Sequence, residues 1–393
     1  MQFAQRLANF KTNVFADMGK AKTRATAMGK QVIDLSLGSS DLAVEPHIIR
    51  AIAESLEDPS TYGYLLHDGT RKFREAVAKW YTNSYGVYVD PQSEVLTLIG
   101  SQEGTAHLPL VVLNPGDYAL LLDPGYPSHS GGVYLANGKI HPLILRACNS
   151  FLPDFSEIPL SVLQQAKLMI LSYPHNPTTA TATKGFFEEA LDFCDKWNIV
   201  LAHDFPYMDM VYEGIEKPPS ILQIDREKRR SIEFFTFSKS YNMGGLRIGF
   251  AIGNSKLIEG LSQVKAAIDF NQYLGIINGA IVALNSPSEN IKKTVNIFEQ
   301  RRDRLLNTLS DYNWQIPSPI STMYVWAKIP EKISLSSLEF CLQLVESTGV
   351  ALSPGSGFGQ AGEGYVRFAL VKDGDTLELA AHKIASFLAG LIG

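Results

Sequence analysis

Cysteine is scarce in this sequence, and histidine forms no cluster. The three cysteines among 393 residues, Cys148, Cys194 and Cys341, lie far apart and outside any Cys-x-x-Cys pattern. This spacing indicates neither a disulfide framework nor a cysteine-based zinc site. The eight histidines lack the His-Glu-x-x-His spacing, so no metal site is predicted. We expect the protein to work in a reducing compartment, the cytoplasm.

Strong net charge and long apolar runs are also missing. The formal net charge is -5, from 40 acidic and 35 basic side chains, which is too mild to predict a nucleic acid or an acidic membrane as partner. The uncharged stretch around Tyr273 to Asn285 is too short to span a bilayer and is typical of a packed core helix. At the N-terminus, Asn9, Lys11 and Asn13 leave no room for the apolar core of a signal peptide.

The length exceeds the size at which a single hydrophobic core stops growing. Apolar residues make up 45% of the chain and charged residues 19%, as is usual for a globular enzyme. We therefore predict two domains. Residues 46–285 are expected to form the large domain, and residues 1–45 and 286–393 a smaller α+β domain.

An alternation of short apolar runs with stretches of helical spacing begins near residue 94 and predicts βα units. Most of these runs are apolar throughout, as expected of strands that are covered on both faces. The fold class is thus α/β, with a mostly parallel central sheet flanked by helices. The predicted strands of this sheet are Glu94 to Ile99, Tyr118 to Leu122, Leu168 to Ser172, Ile199 to Ala202, Glu233 to Phe237 and Arg247 to Ile252. In the smaller domain we predict a helix over Asn290 to Leu309 and strands over Met323 to Ala327 and Gly364 to Leu370.

Polar segments follow five of these strands, where an open parallel sheet binds its ligands. They are Gly100-Ser101-Gln102-Glu103-Gly104, Pro124-Gly125-Tyr126-Pro127, Tyr173-Pro174-His175-Asn176-Pro177, His203-Asp204-Phe205-Pro206-Tyr207, and Ser238-Lys239.

These segments supply what a pyridoxal 5'-phosphate site requires. A helix that begins behind Gly100 offers free N–H groups to a phosphate. Lys239 supplies an amine that can form an imine with an aldehyde. A carboxylate such as Asp204 beside the pyridine nitrogen keeps the ring protonated, and the ring is then an electron sink. We therefore predict pyridoxal phosphate as the cofactor.

The segment from Ser238 to Gly249, Ser-Lys-Ser-Tyr-Asn-Met-Gly-Gly-Leu-Arg-Ile-Gly, resembles the S-K-x-x-x-x-x-G-x-R-x-G motif of the fold-type I, class I/II aminotransferases. The resemblance covers most of the chain. It implies that Lys239 is the catalytic residue and carries the cofactor as a Schiff base. It also implies that Ser238 and Arg247 bind the phosphate, a task for which a guanidinium is suited.

Asn176, in Tyr-Pro-His-Asn-Pro-Thr, is similar to the family asparagine that hydrogen bonds the cofactor's phenolic oxygen. Thr179 stands where that family motif has glycine, which puts the local turn in doubt. Asp204 and Tyr207 resemble the family's D-x-x-Y, which places Asp204 on the pyridine nitrogen and Tyr207 on the phenolic oxygen. Tyr126 matches the aromatic residue that stacks on the ring.

Further matches concern the phosphate, the substrate and a second subunit. By resemblance Ser101 and Gln102 offer backbone N–H groups to the phosphate. Arg367 looks like the arginine that binds the substrate's α-carboxylate, and as a lone arginine in an apolar strand it would be costly to bury without an anion. Gly38 matches a glycine beside the substrate. Tyr64 resembles the tyrosine that reaches the neighbour's phosphate, which implies a homodimer.

The resemblance implies a transaminase that moves an amino group from an L-amino acid to a 2-oxo acid such as 2-oxoglutarate. The opening Phe3-Ala4-Gln5-Arg6-Leu7 is similar to the subgroup of LL-diaminopimelate and aspartate aminotransferases, which favours such a donor. A C–S β-lyase is the alternative, because lyases of this fold often have His in the asparagine motif, as His175 is here. The roles of His175 and His203 stay open.

Overall fold

Twelve strands form three sheets in this computed structural model, which describes residues 3–10 and 14–392 (for residue 392 the backbone only). The strands are β1 Ile33–Asp34, β2 Val95–Leu98, β3 Tyr118–Asp123, β4 Lys139–Ile144, β5 Ala166–Leu171, β6 Val200–Asp204, β7 Ser231–Thr236, β8 Gly249–Gly253, β9 Tyr324–Lys328, β10 Val350–Ala351, β11 Ser353–Pro354 and β12 Tyr365–Ala369.

Helices connect and cover these strands. They are α1 Val14–Ala27, α2 Pro46–Leu56, α3 Arg71–Tyr85, α4 Ser101–Val112, α5 Pro127–Leu135, α6 Leu160–Leu163, α7 Lys184–Trp197, α8 Ser255–Ile268, α9 Leu274–Leu284, α10 Glu289–Asp311, α11 Ser337–Thr348 and α12 Gly374–Ile392. None of the helices in the described ranges is long and apolar enough to cross a membrane.

The central sheet has seven strands in the order β2-β8-β7-β6-β5-β3-β4. Strand β8 pairs antiparallel with both of its neighbours, and the other pairs are parallel. This confirms the predicted α/β class with a mostly parallel central sheet. Because β8 runs against the rest, its first residues lie at the edge where the other strands end.

Apolar side chains cover both faces of this sheet. Along β5, Leu168 and Ile170 belong to one buried cluster, whereas Met169 and Leu171 belong to another on the opposite face. Successive side chains of a strand point to opposite faces. The continuous apolar runs of the sequence are therefore explained by helices packed on both sides.

A separate apolar core lies around the three-stranded sheet β11-β12-β9. Strand β1 pairs with β10, and Leu35 joins Phe368 in this core. The N-terminal segment thus packs with the C-terminal part of the chain. The boundaries 46–285, 1–45 and 286–393 stay a prediction.

Two details of the large sheet differ from the predictions. Strand β4 was missed because it is a half-exposed edge strand that contains Lys139, His141 and Pro142, which break the apolar run. The predicted strand from Arg247 begins too early, since β8 starts at Gly249. Arg247 has a left-handed φ of 54°, so it belongs to the turn before the strand.

The turn after β5 explains the departure at Thr179. Thr179 has a φ of 63°, in the left-handed region, and is 9% exposed. A β-branched residue is strained there, whereas glycine is not. The backbone at Thr179 therefore has the turn conformation that glycine favours. Asn176, three residues before it, still lines the cleft.

We expect Thr179→Gly to raise the free energy of unfolding by about 1 kcal/mol, because relief of the backbone strain outweighs the greater chain entropy of glycine. Thermal and urea unfolding of the cofactor-loaded protein measure the change. Thr178→Gly is the matched control, since Thr178 has no positive φ and its hydroxyl lies 2.7 Å from His175 Nδ1. This control should lower the stability, and a fall for Thr179→Gly as well would contradict the strain argument.

Candidate active site

A cleft of about 490 Å³ lies at the edge where the parallel strands end. Its lining includes every predicted site residue except Tyr64: Gly38, Ser101, Gln102, Tyr126, Asn176, Asp204, Tyr207, Ser238, Lys239, Arg247 and Arg367. These residues are up to 329 positions apart in sequence (367 minus 38). The fold therefore brings the predicted constellation together in one place.

One end of the cleft is a cradle of backbone N–H groups and a guanidinium. Gly100 has a φ of 80° and immediately precedes α4, whose first N–H groups have no acceptor within the helix. A side chain at position 100 would be strained by this positive φ, and its Cβ would lie 2.6 Å from Arg247 Nη2 and displace the guanidinium. Arg247 itself donates to the carbonyl of Gly244 at 3.1 Å. This end can bind a dianion such as a phosphate.

Lys239 lies in the middle of the cleft, three residues after β7 ends. Its Nζ donates to the carbonyl oxygen of Gly38 at 2.5 Å and lies 5.8 Å from the centre of the Tyr207 ring. Ser238 beside it accepts a hydrogen bond from the hydroxyl of Thr236 at 2.9 Å. The amine is thus fixed between the cradle and the segment of Gly38.

Asp204 is the last residue of β6 and is 4% exposed. Its Oδ2 lies 3.0 Å from Nε2 of His129 on α5, whereas its Oδ1 has no hydrogen-bond partner among the described residues. A buried carboxylate oxygen without a donor is costly. The arrangement is suited to a ligand that brings an N–H group. His129 was missed by the sequence reasoning because a lone histidine at the start of a helix belongs to none of the matched motifs.

Tyr126 caps the N-terminus of α5 and contributes an aromatic wall to the cleft. Its hydroxyl donates to Oε1 of Gln102 at 3.3 Å, and its ring packs edge-on against His129 with the ring centres 5.6 Å apart. Burial raises the pKa of the Tyr126 phenol, so the phenol stays neutral. A planar ligand between Asp204 and Lys239 would meet this wall.

Arg367 is a buried cation without a carboxylate. It is 5% exposed, and no acidic group of the described residues forms an ion pair with it. Its guanidinium donates to Asn176 Oδ1 at 2.7 Å and to the carbonyl of Ser36 at 2.8 Å. Because a buried charge needs an opposite charge, the cleft is suited to a ligand carboxylate here.

Tyr324, on β9, was also missed. It is 2% exposed and accepts a hydrogen bond from the Tyr207 hydroxyl at 2.9 Å, while its ring lies 4.2 Å from Cζ of Arg367. A Cβ at position 38 would overlap the Tyr324 hydroxyl, which explains why Gly38 is a glycine. In the sequence Tyr324 is one aromatic residue within a predicted apolar strand, and nothing there distinguishes it from core.

Tyr64 does not reach the cleft of its own chain. It is 88% exposed, and its ring centre lies 5.3 Å from that of Phe270. Tyr62, with which it could be confused, donates its hydroxyl to the carbonyl of Leu56 at 2.6 Å. The position of Tyr64 is compatible with a contact to another molecule, and this role stays a prediction.

The two histidines left open lie outside the cleft. His175 is buried, its Nδ1 lies 2.7 Å from the Thr178 hydroxyl, and burial lowers the pKa of its imidazole to about 3. His203 pairs with Glu233 at 2.7 Å and contacts the backbone oxygen of Tyr173 at 3.0 Å. The partners of both histidines lie outside the lining of the cleft.

Within the described part of the chain, the residues that approach a metal-ligand arrangement are Glu103, His107 and Asp269. The ammonium of Lys265 lies 2.8 Å from Glu103 Oε1 and 2.9 Å from Asp269 Oδ1. This ammonium already supplies the positive charge there. Burial raises the pKa of Glu103, although Lys265 opposes the shift.

The residues of the cleft fit pyridoxal phosphate. The cradle at Gly100 and Arg247 matches the phosphate, and the unpaired Asp204 Oδ1 matches a protonated ring nitrogen. Lys239 lines the same cleft, with its Nζ bonded to the carbonyl oxygen of Gly38. The predicted cofactor is thus consistent with both ends of the site.

Comparison with known proteins agrees with this geometry. The sequence profile of the family "Aminotransferase class I and II" matches residues 30–384. An LL-diaminopimelate aminotransferase of Halothermothrix orenii is 41% identical over 384 residues, 98% of each chain, and one of Aquifex aeolicus is 39% identical over 98% of each chain. The relatives carry aminotransferase names, so the lyase alternative is not supported.

Solved structures give the same result. A probable N-succinyldiaminopimelate aminotransferase from Thermus thermophilus superposes with a TM-score of 0.90 at 43% identity, covering 95% of this chain and 99% of its own. Substrate-bound BacF from Bacillus subtilis superposes with a TM-score of 0.93 at 32% identity, covering 98% of each chain. The chain belongs to the class I and II aminotransferase family and is a pyridoxal-phosphate-dependent aminotransferase of fold type I.

Proposed function

We propose that the enzyme transfers an amino group from LL-diaminopimelate, or from an aspartate-like donor, to a 2-oxo acid such as 2-oxoglutarate. The names of the relatives at 38–41% identity support this donor. The Thermus neighbour is described with an N-succinylated form of the same diamino acid. A donor with a charged group at each end is common to these descriptions.

The observation that carries the proposal is the unpaired buried cation of Arg367 in the same cleft as Lys239. An amino acid whose α-carboxylate binds Arg367 has its α-amino group and Cα close to the lysine. Such an ion pair is strong because both groups are desolvated and hydrogen bonded. Arg367 therefore orients the donor for reaction.

The other residues of the cleft have distinct tasks in this proposal. Pyridoxal phosphate, when bound, supplies the electron sink that accepts the negative charge formed at Cα. Asp204 holds the proton on the ring nitrogen, and His129 fixes the carboxylate in place. Lys239 removes the proton from Cα as a general base once the donor amine has displaced it.

The remaining binding residues position the cofactor. We assign the phosphate to Arg247, Ser238 and the N–H groups of Ser101 and Gln102. Asn176 and Tyr207 are assigned to the phenolic oxygen, and Tyr126 to the face of the ring. The Asn176 amide is oriented for this task because Arg367 occupies its oxygen, which leaves the NH2 group as the donor.

A lysine of the cleft lining is suited to the distal end of a diamino diacid. Lys22 on α1 lines the cleft, and its Nζ lies 2.8 Å from Oδ2 of Asp34. Both side chains are partly exposed, at 29% and 33%. We propose that Lys22 binds the distal carboxylate of the donor and that Asp34 is near enough to attract the distal ammonium.

We expect the purified enzyme to convert LL-diaminopimelate and 2-oxoglutarate to glutamate faster than it uses aspartate or alanine as donor. A coupled glutamate assay measures the rates, and the spectrum of the bound cofactor follows the half-reaction. Lys239→Ala should lose the visible absorbance of the lysine-bound cofactor together with turnover. Pyruvate and ammonia released from cystathionine without any 2-oxo acid would overturn the assignment in favour of a lyase.

Lys22→Met should raise KM for LL-diaminopimelate about tenfold, because a charge-assisted hydrogen bond is lost. KM for alanine, which has no distal carboxylate, should stay unchanged. Lys20→Met is the control, since Lys20 pairs with Asp17 and its side chain is 71% exposed. An equal rise for both donors would show damage to α1 instead of a lost substrate contact.

We also propose that two chains form a homodimer in the cytoplasm, with Tyr64 of each chain reaching the phosphate of the other. Tyr64 and Phe270 are 88% and 48% exposed, and their ring centres lie 5.3 Å apart. This pair of exposed aromatic side chains supports the assembly. The free thiols of all three cysteines are compatible with a reducing compartment.

Tyr64→Phe should weaken pyridoxal phosphate binding about tenfold, because a hydrogen bond to a charged phosphate is lost. Equilibrium dialysis of the dimer against the cofactor measures the dissociation constant. Tyr62→Phe, which removes a hydroxyl bonded within its own chain, should leave the constant unchanged. A wild-type protein that elutes as a monomer and still binds the cofactor tightly would refute the assembly.

A further inference from the structure

Tyr324 contacts three predicted site residues at once. Its hydroxyl is hydrogen bonded to Tyr207 at 2.9 Å, and its ring lies 4.2 Å from the guanidinium carbon of Arg367. Gly38, whose carbonyl accepts the Lys239 amine, packs directly on the hydroxyl. Tyr324 thus lies between the groups assigned to the cofactor's phenolic oxygen, to the lysine and to the substrate carboxylate.

We propose that Tyr324 is a positioning residue that couples the α-carboxylate site at Arg367 to the cofactor contact of Tyr207. This inference rests on the proposed roles of Tyr207 and Arg367. The hydroxyl of Tyr324 bonds to Tyr207, and its ring packs against Arg367. The hydroxyl can therefore be removed while the ring is kept.

The hydroxyl acts on Tyr207. In the structure Tyr207 donates to Tyr324, but a hydroxyl rotates about its C–O bond and the pair can reverse its direction. The reversed bond frees the Tyr207 proton for the phenolic oxygen of the cofactor. Burial raises the pKa of the Tyr324 hydroxyl, but the neighbouring cations Lys239 and Arg367 lower it. The Arg367 guanidinium lies 4.2 Å from the ring, so a positive charge stays beside Tyr324.

The ring acts on Arg367. The guanidinium lies between the Tyr324 ring, at 4.2 Å, and the Phe358 ring, at 4.7 Å. Two aromatic faces attract the cation and restrict its plane. Arg367 also lines the cleft, where the cation can bind a carboxylate.

Tyr324→Phe tests the hydroxyl alone. A weaker hydrogen bond from Tyr207 stabilises the phenolate less, so the pH midpoint of the visible absorbance of the bound cofactor should rise by about half to one unit. We expect kcat to fall about five- to tenfold with KM for the donor changed less than about twofold. Tyr212→Phe is the matched control, since Tyr212 is equally buried and its hydroxyl donates to the carbonyl of Thr322 at 2.8 Å.

Tyr324→Leu removes the ring as well. It should give the same shift in the absorbance midpoint and raise KM for the donor about tenfold in addition. An unchanged midpoint in Tyr324→Phe, or the same shift in Tyr212→Phe, would overturn the inference. Wild-type enzyme without transaminase activity would instead refute the proposed function, so the two failures are distinguishable.

Discussion

A buried carboxylate with one unpaired oxygen is costly, and Asp204 is held in this state at the end of β6. His129 satisfies one oxygen and leaves the other directed at the cleft. The free-energy cost of burying the unpaired oxygen is offset when a ligand donates an N–H group to it. In the proposed site, Asp204 would accept this bond from the protonated ring nitrogen of the cofactor, and the cradle at Gly100 and the amine of Lys239 would hold its other parts.

The parallel sheet makes this arrangement possible because its strands all end at one edge. Each strand end then needs to supply only one or two groups, and the helices behind it keep them in place. The exception is Arg247, which comes before β8. Since β8 is antiparallel, its start lies at the same edge as the ends of its neighbours. One reversed strand thus brings the Arg247 guanidinium to the proposed phosphate site, whereas a parallel strand would place it at the opposite edge.

The sequence predicts the parts of this fold that depend on local patterns. The buried strands are apolar without interruption, and eight of the eleven predicted residues that line the cleft lie in the polar segments that follow these strands. The other three, Gly38, Arg247 and Arg367, were predicted from the family resemblance. Strand β4 escaped because an edge strand that contains Pro142 has no apolar signature. The sequence did not identify His129 and Tyr324 as site residues, for another reason. Each is a single residue in an ordinary local context, and only the tertiary structure brings Tyr324 from a different sheet to Tyr207.

The same tertiary contacts join cofactor binding to substrate binding. Asn176 accepts a hydrogen bond from Arg367 and so presents its NH2 group to the phenolic oxygen in the proposed site. Tyr324 makes a second connection between the same two places, through Tyr207. A carboxylate bound to Arg367 would partly neutralise the positive charge that polarises the Asn176 amide and the Tyr324 phenol. The donor, on binding, would therefore alter the hydrogen bonds at the ring before any of its own bonds change.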